Sequence, residues 1–189
     1  MPKNTLVLLI RHGEKPASGI DLAVAGQERA QAYILYFQNY LLQSTSGASD
    51  NSTPIKLNYL FATADSGNSD RPDLTITPLS QAIGVAINDK HKNADYQKVA
   101  DDILQNSKYD NSNILICWHH GEILALAAAL GVDASKLPAA SNWPTKWPGS
   151  EYGWLLQISY DGNGDLVVAE TLCINEKLMY DDQNDPPGA

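Results

Sequence analysis

Arginine and histidine side chains follow three apolar segments of this sequence. They are Arg11 and His12 after the first segment, Arg71 after the second, and His119 and His120 after the third. A guanidinium group donates paired, charge-assisted hydrogen bonds to phosphate oxygens, and two such groups approximately balance a dianion. If the three segments meet, these side chains form an anion pocket. The sequence therefore predicts a small phosphorylated substrate, or inorganic phosphate, as the ligand.

His12 is the candidate nucleophile of this pocket. A neutral imidazole can attack phosphorus and form a phosphohistidine, which water then hydrolyses. His12 comes directly after an apolar segment, where the backbone can fix its ring, and a hydrogen bond at its second nitrogen would set the reactive tautomer. Gly13 and Gly121 let the backbone turn sharply, so that amide N–H groups can approach a ligand. We therefore expect phosphoryl transfer through a histidine.

Strands and helices alternate along the chain and would position these side chains. Apolar runs predict strands at 5–10, 57–62, 114–118, 153–160 and 166–172, the last two joined by the turn "DGNG" as a hairpin. Helical spacing of apolar residues predicts helices at 27–41, 77–83, 96–105 and 122–130. This order predicts an α/β fold, a three-layer α/β/α sandwich whose mostly parallel mixed sheet ends in a C-terminal antiparallel hairpin. Ligands of such sheets bind beyond the carboxyl ends of the strands, which is where the arginines and histidines lie.

Composition limits the size of the domain and the classes of partner. The 189 residues, of which 43% are hydrophobic, can build one domain with a substantial core. We expect that domain to span 1–180 and to be followed by a flexible acidic tail at 181–189. With 22 acidic and 13 basic residues, the formal net charge of −9 argues against nucleic acid or an anionic membrane as a partner. Nothing in the sequence assigns an oligomeric state.

The sequence also predicts a cytoplasmic location. No apolar run approaches the roughly 20 residues of a membrane span, and the first residues do not have the pattern of a secretory leader. Cys117 and Cys173 lie in apolar stretches without the spacing of a metal site. We expect both to be buried thiols, with an inter-strand disulfide as the less favoured alternative.

The polar segments occur in the order of a known family. The segments that carry the resemblance are "LLIRHGEKP" with an R-H-G signature, "DLAVAGQERA" at the start of the first helix, "RPDLTITPL" with a second arginine, and "LICWHHGEI" with a second histidine. Together they cover nearly the whole chain. The sequence resembles the histidine phosphatase superfamily, also called the phosphoglycerate-mutase-like family, and within it a branch with a Trp-x-His-Gly block.

The resemblance implies a set of roles in catalysis. It implies a phosphate pocket of Arg11, His12, Arg71 and His120, with His12 phosphorylated during turnover. The family's second histidine precedes a glycine, so this role goes to His120 rather than His119, and His120 would stabilise charge on the transferring phosphoryl group. Neither a metal nor an organic cofactor is implied. A metal site on these adjacent histidines is also disfavoured because neighbouring side chains of a strand point to opposite faces.

The resemblance leaves the general acid open. A carboxylate near several cations normally has a lowered pKa, so a working acid needs burial or a dedicated hydrogen bond to keep its proton. Glu122 is the first candidate, and Glu14 and Asp65 compete with it. An alternative of equal weight makes Glu122 a helix N-terminal residue that complements the helix dipole. We also expect Gly13 and Glu14 to contribute to substrate binding.

Three functions are compatible with these motifs. The leading one is a metal-independent phosphatase that hydrolyses a phosphomonoester through a phosphohistidine on His12. The others are phosphoryl transfer of the phosphoglycerate-mutase type and a catalytically quiet phosphate-binding or interaction domain. Mutases of this family continue the R-H-G-E signature with Ser and Asn, where this sequence has "KPASGID", and spare cations near the motifs are few. These departures favour hydrolysis.

Overall fold

A six-stranded mixed sheet lies at the centre of the molecule. The computed structural model describes residues 1–46, 52–182 and 184–187. The strands are β1 (Thr5–Arg11), β2 (Tyr59–Thr63), β3 (Ile87–His91), β4 (Asn113–Trp118), β5 (Trp154–Tyr160) and β6 (Leu172–Asn175). Their order across the sheet is β3-β2-β4-β1-β5-β6. The first four in this order pair in parallel, whereas β5 is antiparallel to both β1 and β6.

Helices cover both faces of the sheet. They are α1 (Val24–Gln38), α2 (Arg71–Ile83), α3 (Tyr96–Gln105) and α4 (Ile123–Ala129). Tyr33 of α1 and Leu79 of α2 belong to one apolar cluster, and Val99 of α3 and Leu126 of α4 belong to the other. The predicted three-layer sandwich with a mostly parallel mixed sheet is confirmed.

The sequence of β1 shows how the layers arise. All of its residues are buried. Leu8 and Ile10 pack into the cluster under α1 and α2, while Val7 and Leu9 pack into the cluster under α3 and α4. Because successive side chains of a strand point to opposite faces, a strand covered on both sides needs a continuous apolar run. Each buried aliphatic side chain contributes about 1.5–3 kcal/mol relative to exposure.

Two elements that follow β2 in the chain, β3 and α2, differ from the sequence-based prediction. The sequence predicts no strand at Ile87–His91, yet β3 forms there as an edge strand that pairs with β2. Its side chains are half-buried or exposed, so it lacks the apolar run that marks the inner strands. In addition, α2 begins at Arg71 and not at residue 77, because Pro72 suits the first turn of a helix.

The C-terminal hairpin is displaced from its predicted position. The chain does reverse at the predicted turn, where the N–H of Gly164 donates to the carbonyl of Asp161 at 3.1 Å. However, Val168–Glu170 forms a 3-10 turn, and the strand that pairs with β5 begins only at Leu172. The predicted second strand at 166–172 is therefore wrong, although the antiparallel pairing at this end of the sheet is confirmed.

Part of the predicted tail is attached to the sheet. Asp182 is 5% exposed and forms an ion pair of 2.6 Å with Arg29. The carbonyl of Asn184 accepts a hydrogen bond of 2.8 Å from the indole of Trp154. These two residues therefore contact the rest of the domain, because a buried cation pairs with an acidic side chain of the segment. Residues 183, 188 and 189 lie outside the described residues, and the boundary at residue 180 stays a prediction.

The cysteines are free and buried, as expected. Cys117 and Cys173 are unpaired, and burial raises the pKa of each thiol. Within the described ranges, no helix is both long enough and apolar enough to cross a membrane.

Candidate active site

An open pocket of about 390 Å³ lies beyond the carboxyl ends of the parallel strands. It is lined by side chains from all three predicted segments, namely Arg11, His12, Arg71, His119 and His120. The remaining lining is polar and comprises Lys15, Ser66, Asn68, Ser69, Asn93 and Gly121. Because parallel strands end at one edge of the sheet, segments remote in sequence converge there. The predicted convergence of arginines and histidines therefore occurs.

His12 is held as a neutral imidazole. The residue is 3% exposed, and its Nδ1 lies 2.7 Å from the carbonyl oxygen of Gly13. Since a carbonyl only accepts, Nδ1 carries the proton and Nε2 keeps its lone pair. Burial, followed by the nearby charge of Arg11, lowers the pKa of His12 to about 3 against the opposing effect of the Gly13 hydrogen bond. An unprotonated Nε2 at neutral pH is what a nucleophilic imidazole requires.

The backbone beside His12 is fixed from two sides. The N–H of Gly13 donates to Oγ1 of Thr75 at 2.8 Å, and that hydroxyl donates to the carbonyl of Arg71 at 2.7 Å. Gly13 also lies against the start of α1, where a Cβ on Gly13 would come within 2.9 Å of the carbonyl oxygen of Gly26. The amide of Gly13 is therefore occupied by Thr75, which holds the loop, and the role of Gly13 in substrate binding stays a prediction.

Arg11, the last residue of β1, is anchored by backbone carbonyls. Its Nη1 donates to the carbonyls of Gly149 at 2.9 Å and Glu151 at 2.6 Å. Its Cζ lies 3.7 Å from the ring centroid of Tyr152, in a cation–π contact. Its Nε is buried without a hydrogen-bond partner in the part of the chain that the structure describes. The side chain is thus held rigidly while its buried Nε–H stays unused.

Arg71 is held in a similar way at the start of α2. Its Nη1 donates to the carbonyls of Gly19 and Ile20 at 3.1 and 3.0 Å, and its Nη2 donates to the carbonyl of Asn68 at 3.2 Å. Its Nε is likewise buried and unpaired with respect to the described residues. A buried N–H without an acceptor is costly, so an oxyanion that accepts from both arginines would remove two such penalties.

The structure brings both histidines of the β4 end to the pocket. The ring centroid of His119 lies 5.0 Å from that of His12, in an edge contact. Burial and the charge of Arg71 lower the pKa of His119 to about 4. Burial and the charge of Arg11 also lower the pKa of His120, whose Nδ1 is buried without a partner among the described side chains. His119 is therefore the imidazole in ring contact with His12, and the choice of His120 as the second catalytic residue stays a prediction.

None of the three candidate acids belongs to the described lining of the pocket. The carboxylate of Glu14 binds Arg29 through hydrogen bonds of 3.0 Å to Nε and 2.6 Å to Nη2. Glu122 occupies the N-cap of α4, as the structural alternative predicts. Burial and neighbouring aspartates raise the pKa of Asp65, which favours its protonated form. Across 1–46, 52–182 and 184–187, no three His, Cys, Asp or Glu side chains are grouped to hold a metal ion.

Asn93 and Asn68 line the pocket but were not predicted to do so. Asn93 follows β3, and its carbonyl accepts a 3.2 Å hydrogen bond from the indole of Trp118. Its Oδ1 is buried without a described partner. Because the polar sequence of β3 does not predict a strand, nothing placed Asn93 at the carboxyl edge of the sheet.

Comparison with known proteins gives a fold. No protein-family model and no curated protein sequence matches this chain. Its structure is similar to the protein assigned as phosphohistidine phosphatase SixA from Agrobacterium tumefaciens, with a TM-score of 0.51 and 15% sequence identity over 87% of this chain and 96% of that chain. It is also similar to the protein assigned as SixA from Nakamurella multipartitia, with a TM-score of 0.50 and 13% identity over 89% and 92% of the two chains. This chain therefore has the histidine phosphatase fold that its sequence motifs predict.

Proposed function

We propose that this protein is a metal-independent phosphatase that hydrolyses a phosphomonoester through a phosphohistidine on His12. The observation that carries the proposal is the 2.7 Å contact between Nδ1 of His12 and the Gly13 carbonyl, which leaves Nε2 as the nucleophilic nitrogen. Two arginines with unpaired Nε–H groups line the same pocket. The fold also supports this function. It is the fold implied by the family resemblance of the R-H-G motif, and that resemblance implies a phosphohistidine on His12.

The proposed reaction has two displacement steps. Nε2 of His12 attacks phosphorus, the bond from phosphorus to the leaving oxygen breaks, and the phosphoryl group is transferred to the imidazole. Water then attacks the phosphohistidine, the P–N bond breaks, and inorganic phosphate is released. Arg11 and Arg71 would donate to the phosphoryl oxygens and His120 would add a further hydrogen bond. Positioning and charge stabilisation are the main contributions that a protein makes to phosphoryl transfer.

The polar lining favours a second candidate substrate, a phosphohistidine on another protein. An alkoxide is a poor leaving group and needs a general acid, yet the described lining contains no carboxylate. An imidazole leaving group is protonated more readily and has less need of a carboxylic acid. The two similar proteins are assigned as phosphohistidine phosphatases, which agrees with this substrate. For a phosphomonoester with a poor leaving group, Glu122 stays the proposed acid because it follows Gly121 of the pocket directly.

Hydrolysis of p-nitrophenyl phosphate in the presence of EDTA tests the proposal. We expect turnover by the wild-type protein, a loss of at least roughly 1,000-fold in His12→Ala, and wild-type turnover in the control His91→Ala. Position 91 is at the end of β3 and outside the described lining of the pocket. Undiminished turnover in a folded His12→Ala would contradict a nucleophilic role for His12.

Three further measurements separate the alternatives. Rapid quenching should trap an acid-labile, base-stable phosphoenzyme in the wild-type protein and none in His12→Ala. Faster turnover of N-phosphorylhistidine than of alkyl phosphates would select the second candidate substrate, and conversion of 2-phosphoglycerate to the 3-isomer would select the mutase. Stabilisation by phosphate without turnover of any of these compounds would indicate a phosphate-binding module.

A further inference from the structure

A buried arginine outside the pocket connects the catalytic segment with the C-terminal end of the chain. Arg29 lies on α1 with a fully buried side chain and contacts three carboxylates. Glu14 comes directly after the R-H-G signature, Glu176 comes directly after β6, and Asp182 lies near the end of the described chain. Nothing in the local sequence pattern predicts that these residues meet.

Hydrogen bonds occupy every nitrogen of the Arg29 guanidinium. Along one edge, Nε and Nη2 bind Oε1 of Glu14 at 3.0 and 2.6 Å. Along another, Nη1 and Nη2 bind the two oxygens of Asp182 at 3.1 and 2.6 Å. Oε2 of Glu176 lies 3.3 Å from Nη1 and accepts a further bond from the hydroxyl of Tyr33 at 2.9 Å. Such forked pairs fix the geometry of both partners.

Glu14 transmits this geometry to the nucleophile. The carbonyl that orients His12 belongs to the peptide group between Gly13 and Glu14, so the direction of the carbonyl depends on where Glu14 is held. The backbone of Glu14 is also packed tightly against α1, since a Cβ on Gly26 would approach its carbonyl oxygen to 2.6 Å. A shift of the Glu14 side chain therefore tends to rotate the peptide that carries the acceptor for Nδ1.

The position of the Asp182 carboxylate is equally well defined. Its Oδ2 accepts from the amides of Leu178 and Met179 at 3.0 and 2.9 Å. Its carboxylate lies against Gly153, where a Cβ would come within 2.5 Å of the Asp182 Cγ. The position before β5 therefore has to be glycine for this carboxylate to reach Arg29. The turn at residues 178–182 is thus built to present one side chain to α1.

We infer that Arg29 is a positioning residue for His12, and that Asp182 makes the C-terminal segment 176–182 a working part of the catalytic unit. In this arrangement Asp182 holds the guanidinium, the guanidinium holds Glu14, and Glu14 fixes the peptide whose carbonyl sets the reactive tautomer of His12. The inference rests on the proposed role of His12 as the nucleophile.

The charges of the cluster favour positioning over stability as its purpose. One guanidinium faces three carboxyl groups, and burial raises the pKa of Glu176 to about 8, which favours its protonated form at neutral pH. Buried ion pairs contribute little stability compared with apolar side chains of the same volume. An apolar core would join α1 to the C-terminal segment as firmly, but it would not fix the direction of the Gly13 carbonyl.

Two isosteric variants test the inference, Asp182→Asn and Glu14→Gln, with Glu170→Gln as the matched control. Glu170 makes one side-chain bond, to the hydroxyl of Ser159 at 2.8 Å, away from Arg29. The first readout is the ¹⁵N shift pair of the His12 imidazole, which distinguishes the two neutral tautomers without any need for activity. The second is kcat and KM for p-nitrophenyl phosphate. Circular dichroism and the melting temperature report whether each variant is folded.

We expect both variants to show a mixture of His12 tautomers, to lose roughly 10- to 100-fold in kcat, and to keep KM within about twofold. The control should keep the tautomer and the kcat of the wild-type protein. A single Nδ1–H tautomer with unchanged kcat in a folded variant would overturn the inference. Glu14 is 19% exposed, so Glu14→Gln provides the answer if Asp182→Asn does not fold. If the wild-type protein shows no turnover, the proposed function is refuted. The tautomer of His12 in the two variants would still test whether Arg29 and Asp182 position that ring.

Discussion

At the scale of single residues, burial beside cations determines what the pocket can do. An exposed histidine titrates near pH 6.5, whereas burial lowers the pKa of His12 to about 3 and that of His119 to about 4. Both imidazoles are therefore neutral throughout the physiological range. One arginine at the end of β1 and one at the start of α2 supply the positive charge instead. This division leaves the lone pair of His12 available beside two guanidinium groups.

A titration of His12 by NMR checks the lowered pKa. We expect its Cε1–H shift to stay constant from pH 8 to about pH 4.5, because the folded protein binds a proton at this ring only below that range. Free histidine in the same sample should titrate near pH 6.5 and provides the control. A midpoint of 6 or higher for His12 would contradict the burial of its ring.

A second residue-scale prediction concerns Thr75, which is fully buried and accepts from the N–H of Gly13 at 2.8 Å. Thr75→Val should lower the free energy of unfolding by about 1–3 kcal/mol, because a buried amide loses its acceptor. Thr75→Ser keeps the hydroxyl and should recover most of that loss. Urea denaturation measures both variants. Equal stability of the valine and serine variants would show that the hydrogen bond is not what holds Gly13.

At the scale of elements, the sequence predicts those parts whose burial is continuous. The apolar runs of β1, β2 and β4 are covered by helices on both faces, and their pattern is unmistakable. β3 is an edge strand with the polar sequence "INDKH", so the same criterion fails there. Because the sequence does not predict β3, it also does not predict that Asn93, which follows this strand, lines the pocket. The residues after inner strands are thus predictable, whereas those after edge strands depend on tertiary pairing.

The contact between the start of α1 and the loop after β1, at Gly13 and Glu14, provides an element-scale prediction. Alanine at Gly26 would gain up to about 1 kcal/mol in helix propensity. However, its Cβ would lie 2.6 Å from the carbonyl oxygen of Glu14, and overpacking of this kind costs about 1–3 kcal/mol. We therefore expect Gly26→Ala to lower the melting temperature, by about 2–4 °C for each kcal/mol of net loss, and to lower kcat.

Gly67→Ala is the control for this overpacking. A Cβ at Gly67 would have no atom within 4 Å, so its melting temperature should stay close to that of the wild-type protein. A Gly26→Ala protein as stable as the wild type would show that α1 and the loop after β1 can separate without cost. In that case the tight packing would not be what fixes Glu14.

At the scale of the whole molecule, contacts remote in sequence complete the site. The formal charge of −9 gives no hint of a cationic pocket, because the positive charge of the pocket comes locally from Arg11 and Arg71. Acidic residues near the C-terminus suggest a solvated tail, yet Asp182 pairs with Arg29 across the molecule. Local patterns do not encode this pairing. It depends on α1 and the segment after β6 lying on the same side of the sheet.

The same cluster makes the stability of the whole molecule depend on pH. Burial raises the pKa of Glu176 from 4.5 to about 8, so between these values the folded protein holds a proton that the unfolded chain releases. Its contribution to the free energy of unfolding is therefore complete at low pH and is lost as the pH rises towards 8. His12 and His119 have lowered pKa values and act in the opposite direction, but only below about pH 6.5.

Between pH 6.5 and 8, Glu176 should therefore dominate the pH dependence of stability. We expect the free energy of unfolding of the wild-type protein to fall over this interval, with a slope of up to about 1.4 kcal/mol per pH unit. Glu176→Gln carries no titrating proton and should be flat, whereas Glu170→Gln should keep the wild-type slope. Urea denaturation at several pH values measures all three. Parallel slopes for Glu176→Gln and the wild type would mean that Glu176 is already ionised at neutral pH, and that Arg29 then lies among three charged carboxylates.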